Sequence, residues 1–198
     1  MLTADCLSWI AASFDKYPEV GMCYTDCTEF IEATGECVNY GEYAFGYGGY
    51  RTESYKGRDY LTMNYPRLNQ KTIRHIVGVP NHVRCWRSSL YHEIGGHNSN
   101  LHVADDYDLI VRTFLKSRIC HIPKLGYIQY CNSDQSNTTD LRRPEIQRIV
   151  EMVRKNYDEQ IHLRLLELGL PDNVWDDNLK QGDPHKEIPL CDKHGCVI

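Results

Sequence analysis

Apolar positions along the chain alternate between helical and strand spacing. Leu7, Ile10, Ala11 and Phe14 share one face of a helix that opens after Thr3, a good N-cap, and is ended by Pro18. The run Val20 to Ile31 (VGMCYTDCTEFI) is rich in β-formers and predicts a strand. Residues 34–60 are dense in Gly and Tyr, including Gly46-Tyr47-Gly48-Gly49-Tyr50. They predict a long structured loop whose aromatics either line a cleft or pack along the surface. Residues 76–86 (IVGVPNHVRCW) are strand-like, with Pro80 implying an edge or a bend. A short helix over 88–94 is stopped by Gly95-Gly96, a second covers 105–115 with Leu109, Ile110, Val111 and Phe114 inside, and 121–130 reads as a strand.

From Pro144 the period is plainly helical: Ile146, Ile149, Val150, Val153, Tyr157, Ile161 and Leu165 form one stripe, and Gly169 supplies the stop. The residues after Leu170 are polar, with Pro171, Pro184 and Pro189. The expected fold class is therefore α/β, with one domain over 1–140, an amphipathic helix over 141–170 and a polar tail over 171–198.

Composition narrows the function classes. The 198 residues carry 22 Lys+Arg and 27 Asp+Glu, a formal net charge of −5, with 41% hydrophobic and 25% charged positions. That is an ordinary globular chain, not a disordered, collagenous or coiled-coil one. Its mildly acidic balance argues against nucleic acid as a partner. No apolar run reaches the roughly 20 residues of a transmembrane helix. The first residues carry no basic region and no apolar stretch of signal-peptide length. The nine cysteines are odd in number and irregular in spacing, so reduced thiols and a cytoplasmic location are expected, with peripheral membrane association left open.

Chemistry concentrates in Val103-Ala104-Asp105-Asp106-Tyr107-Asp108-Leu109. Adjacent carboxylates at a loop-to-helix junction can serve as a general base, hold a hard divalent cation, or simply complement the helix dipole. The spacing is not that of an EF-hand. Cys191, His194 and Cys196, with His185 nearby, are a weaker candidate for zinc. The chain has no nucleophile elbow, Walker A loop or dinucleotide-binding glycine fingerprint.

The order of the motifs carries further than any one of them. Leu2-Thr3-Ala4-Asp5-Cys6-Leu7 is followed by Val20-Gly21-Met22-Cys23-Tyr24-Thr25-Asp26 and by Gly78-Val79-Pro80-Asn81-His82-Val83-Arg84-Cys85-Trp86-Arg87. Then come Glu93-Ile94-Gly95-Gly96-His97-Asn98, Ala104-Asp105-Asp106-Tyr107-Asp108-Leu109-Ile110-Val111-Arg112 and Ile122-Pro123-Lys124-Leu125-Gly126-Tyr127-Ile128-Gln129-Tyr130. Over residues 1–140 this series resembles the second, acceptor-side half of a family 2 glycosyltransferase.

The resemblance implies part of an A-type glycosyltransferase fold, a Rossmann-like mixed sheet with flanking helices. It also implies transfer of a sugar from a nucleotide-sugar donor to an acceptor hydroxyl, with inversion and a divalent cation (Mn or Mg). By the same resemblance Asp106 is the catalytic base, with Asp105 second, and Asp108 orients or caps, holding Arg112 four residues on. Arg84, Trp86 and Arg87 border the acceptor and the donor phosphates, and His82 and Asn81 are weaker candidates on that segment. The family's metal-holding Asp-x-Asp motif belongs just ahead of Leu2, so that motif and the nucleotide-binding half are expected to be absent here. Self-association, or pairing with an upstream half, is expected to follow from the sheet edge this would expose. The alternative is a non-catalytic remnant that binds a glycan or a protein.

Overall fold

The computed structural model describes residues 1–39, 49–64, 68, 70, 72–74, 80–131, 141–169 and 172. The fold is mixed α/β, built around one central strand, β1 (Val20–Ile31). β6 (Arg118–Cys131) runs parallel along one edge of β1, from Val20 opposite Arg118 to Ile31 opposite Cys131. Two short antiparallel strands share the other edge: β5 (Arg84–Trp86), with Cys23 opposite Cys85, and β2 (Glu36–Cys37), with Phe30 opposite Cys37. β1 is buried without a break from Val20 to Thr28, which explains why its sequence shows no polar alternation: both faces are covered.

Helix α1 (Cys6–Lys16) covers one face. Cys6 and Ile10 pack there with Val20, Cys23, Cys120 and Ile122, flanked by Trp9 and Phe14. The other face meets α3 (Asp105–Lys116) and α4 (Arg143–Glu167), where Met22, Tyr24 and Ile119 pack against Tyr107, Ile110, Phe114, Val150, Val153 and Leu165. α4 thus belongs to the same core as the sheet, and its predicted stripe is the side that is buried. Between the strands and α3 lies the short α2 (Ser88–Glu93), closed by Gly95 and Gly96 at φ of 82° and 62°. Among the described residues no helix is long and apolar enough to cross a membrane.

Two expectations need correction. The α1 stripe is displaced by one residue: Leu7 is 58% exposed and Ala11 is also exposed, while Cys6, Ile10 and the half-buried Phe14 face inward. Thr3 is not its cap. The N-cap position is Asp5, and the Thr3 hydroxyl instead donates to the Leu125 carbonyl at 2.9 Å, tying the start of the chain to β6.

The stretch 34–60 is also more than a loop. It contains β2 and most of a hairpin formed by β3 (Gly49–Tyr55) and β4 (Arg58–Asn64). Lys56 and Gly57, at φ of 50° and 76°, make its two-residue turn, and Gly57 supplies the left-handed position that matches strand twist. The alternation in TESY and DYLTM is too short to stand out against the surrounding Gly and Tyr. Residues 40–48, with Tyr47 and Gly48, lie outside the described residues, as do 75–79 and the Cys191, His194, Cys196 and His185 group.

Candidate functional site

β5 decides where the cationic and aromatic side chains go. Alternate residues of a strand point to opposite faces, so Cys85 turns toward the α1 layer while Arg84 and Trp86 turn toward α3. On α3, Asp106 and Thr113 lie seven residues apart and therefore on one face. They receive the two side chains: an Arg84 guanidinium nitrogen lies 2.5 Å from Asp106 Oδ2, and Trp86 Nε1 donates to Thr113 Oγ1 at 2.8 Å. Arg84 Nε also donates to the Pro80 carbonyl at 2.9 Å, which fixes the plane of the guanidinium.

Arg84, Trp86 and Asp106 line an open cleft of about 500 Å³ together with Leu2, His82, Val83, His97, Asp105 and Tyr127. Five of the eight residues singled out from the sequence converge here: His82, Arg84, Trp86, Asp105 and Asp106; Asn81 does not line the cleft and accepts from the His82 amide at 2.7 Å. Leu2 and Tyr127 arrive together because they form an antiparallel bridge. The His82 ring lies edge-on to Tyr127 with centroids 5.3 Å apart. Burial, assisted by the Arg84 charge and opposed by Asp106, holds the His82 imidazole below its ordinary pKa of 6.5.

The three aspartates at the start of α3 have three different partners. Asp105 Oδ2 meets His97 Nδ1 at 2.6 Å. Asp106 accepts from Arg84, and its other oxygen accepts from the Tyr107 amide at 2.9 Å. Asp108, only 5% exposed, accepts from Arg112 Nε and a terminal nitrogen at 2.9 and 2.6 Å, the i,i+4 contact expected from the spacing. Arg112 in turn donates to the carbonyls of Ile94 and Gly96 and so pins the turn that follows α2.

Two residues of the expected set are engaged elsewhere. Arg87 faces away from the cleft: Nε donates to the Val20 carbonyl at 2.6 Å, a terminal nitrogen donates to Phe14 and Tyr17 carbonyls, and the guanidinium sits over the Phe14 ring. It is a brace between α1 and β1, because backbone carbonyls at a helix end attract a cation. Asp108 also does not line the cleft. Its work is to hold Arg112.

His97 and Tyr127 were not singled out from the sequence. His97 follows Gly95-Gly96 and lies eight residues before Asp105, a separation with no periodic signature. Only the turn held by Arg112 brings the two together.

A divalent cation does not fit this donor set. Each of the three carboxylates already faces a guanidinium or an imidazole, and the Arg84 charge lies within the cleft itself. Among the described residues no three His, Cys, Asp or Glu side chains gather into a metal-holding group.

Thiolate chemistry is also disfavoured on the α1 face of the sheet. Cys23 hydrogen-bonds Cys120, and that bond together with burial raises its thiol, while burial pushes Cys6 up to about 11. Compared with models of protein families, the chain matches none, and no curated protein matches it either.

Proposed function

We propose that this chain is the acceptor side of a nucleotide-sugar-dependent glycosyltransferase. The reading rests on the ordered motif series and on one observation that supports it. A carboxylate, Asp106, and a phosphate-competent guanidinium, Arg84, come from separate elements to one cleft that also carries an indole. An acceptor hydroxyl would give its proton to Asp106 while its oxygen bonds to the anomeric carbon of the donor. The bond from that carbon to the donor phosphate would break with its electron pair, releasing a nucleoside diphosphate.

Arg84 has a part in both states. Paired with Asp106 in the free cleft, it would turn to the donor phosphates, for which a planar guanidinium is well suited, and leave the carboxylate free to accept the proton. Trp86 offers apolar surface to a sugar's C–H face. Partners under this reading are a nucleotide-sugar donor, a hydroxyl-bearing acceptor such as a glycan, and a second copy or an upstream segment presenting a donor surface near Leu2.

The second reading is binding of a glycan or a protein without transfer. One feature favours it: Asp106 stands in the cleft already paired with a cation.

The deciding experiment is a thermal-shift titration with UDP and GDP, each with and without Mn²⁺, followed by sugar-transfer assays on the wild type and Asp106→Asn. A nucleotide-dependent rise in melting temperature and transfer lost in Asp106→Asn support the enzyme. Glycan binding that survives Asp106→Asn, with no transfer, supports the binding module.

A further inference from the structure

Beside Asp106 the cleft holds a second group built for proton transfer. We infer that His97, held by Asp105, is a proton acceptor of this cleft, an assignment that rests on the glycosyltransferase reading for its substrate. Asp105 Oδ2 lies 2.6 Å from His97 Nδ1, and a carboxylate can only accept a hydrogen bond. The proton of the neutral imidazole therefore sits on Nδ1, and Nε2 keeps its lone pair. Among the described residues Nε2 has no hydrogen-bond partner, while the side chain is 45% exposed and lines the cleft.

The imidazole is positioned by residues that do not line the cleft. Gly95 and Gly96 turn the chain through left-handed conformations, and a Cβ at Gly96 would lie 2.9 Å from the Tyr91 ring. Arg112 holds the Ile94 and Gly96 carbonyls, and Asp108 holds Arg112. The His97 amide donates to the Tyr91 hydroxyl at 3.3 Å. A carboxylate that fixes the tautomer, an imidazole that presents its basic nitrogen and a scaffold that sets both make a general-base pair. Asp106, by contrast, has one oxygen on Arg84 and the other on a backbone amide.

In the transfer step the acceptor's O–H proton passes to His97 Nε2, in place of Asp106, whose oxygens are held by Arg84 and the Tyr107 amide, as the acceptor oxygen bonds to the anomeric carbon. The donor's C–O bond breaks toward the phosphate, and Asp105 stabilises the imidazolium that results. The charged and titratable groups around His97 are Asp105 from α3, Tyr91 from α2, and Asp106, Arg84 and His82 along the cleft.

The test is long-range ¹H–¹⁵N correlation spectroscopy of the imidazoles, with His97→Gln to assign the signal and Asp105→Ala to remove the acceptor. The expected wild-type signal is the Nδ1–H tautomer, converted to Nε2–H in Asp105→Ala. A wild-type His97 protonated on Nε2, or a tautomer unmoved by Asp105→Ala, overturns the assignment. Asp105 is 38% exposed, so its truncation leaves the core intact. Where a donor and acceptor give transfer, His97→Gln is expected to lower kcat/KM about 100-fold. His97→Gln within about twofold of wild type, beside an inactive Asp106→Asn, also overturns it. If every donor and acceptor fails, the glycosyltransferase reading falls, and the tautomer alone decides whether the pair is a base.

Discussion

Arg84, on a three-residue strand, and Asp106, in the first turn of a helix, close on one another with 2.5 Å between guanidinium nitrogen and carboxylate oxygen. Arg84 is 14% exposed and Asp106 34%, so the pair is half shielded and remains reachable from the cleft. Under the proposed transfer reaction such an ion pair would exchange partners with an entering donor phosphate, and removing Arg84 would separate anion binding from proton transfer. Arg84→Met is expected to weaken UDP or GDP binding about 10-fold to 100-fold, the loss of one or two charge-assisted hydrogen bonds. Asp106→Asn, which leaves the guanidinium unpaired, is expected to preserve or tighten it. Isothermal titration of both variants checks this, and equal affinities in all three proteins would contradict it.

His82 sets a pH dependence of stability. Its folded pKa lies below 6.5, chiefly because it is buried, so the unfolded chain binds the proton more readily. Stability from this group is therefore present above 6.5 and is lost as the pH falls from 6.5 through the lower folded value. Urea denaturation across pH 5–8 is expected to show this acid-side loss in the wild type and a flatter curve in His82→Gln.

Buried pairing at the sheet centre predicts a larger effect. Asp26 is fully buried, with His121 Nε2 at 2.7 Å and an Arg51 nitrogen at 2.8 Å, so β1, β6 and the hairpin are joined through one carboxylate. Removing it leaves the buried His121 imidazole without its carboxylate, while Arg51 keeps Glu53 and Asn64, at a cost of about 3–5 kcal/mol. Asp26→Ala should show that loss in chemical denaturation. Arg51→Ala should show less, because Arg51 is 29% exposed and water replaces part of the interaction.

Gly126 is a packing constraint on β6. An added Cβ would stand 2.2 Å from Thr25 Oγ1, the hydroxyl that accepts from the Val83 amide beside the cleft. Gly126→Ala is expected to lower stability by about 1–3 kcal/mol. Because Val83 lines the cleft, it should also weaken any ligand that binds there; calorimetric melting and the same titration test both effects.

The sequence by itself determined what local periodicity and short-range chemistry can determine. β1 and α3 stand within a residue of their expected bounds, α4 buries Ile149, Val150, Val153, Ile161 and Leu165 of its predicted stripe with Ile146 and Tyr157 partly buried, and Asp108 holds Arg112 because four residues make one helical turn. The displaced α1 stripe shows the limit of that method. Cys6 and Ile10 face the sheet, with Phe14 partly buried beside them, and Leu7 faces water, a choice set by where the sheet lies.

Only the tertiary structure decided the partners of the charged groups. Arg84 and Arg87 are three residues apart on one short segment, yet one enters the cleft and the other braces α1, because the strand and the turn after it present different faces. Asp105 and Asp106 are adjacent, yet they meet His97 and Arg84 from different elements, since neighbouring residues of a helix point about 100° apart. Charge partners are chosen by packing in three dimensions, and a linear pattern carries that choice only when both partners lie within one turn of one helix.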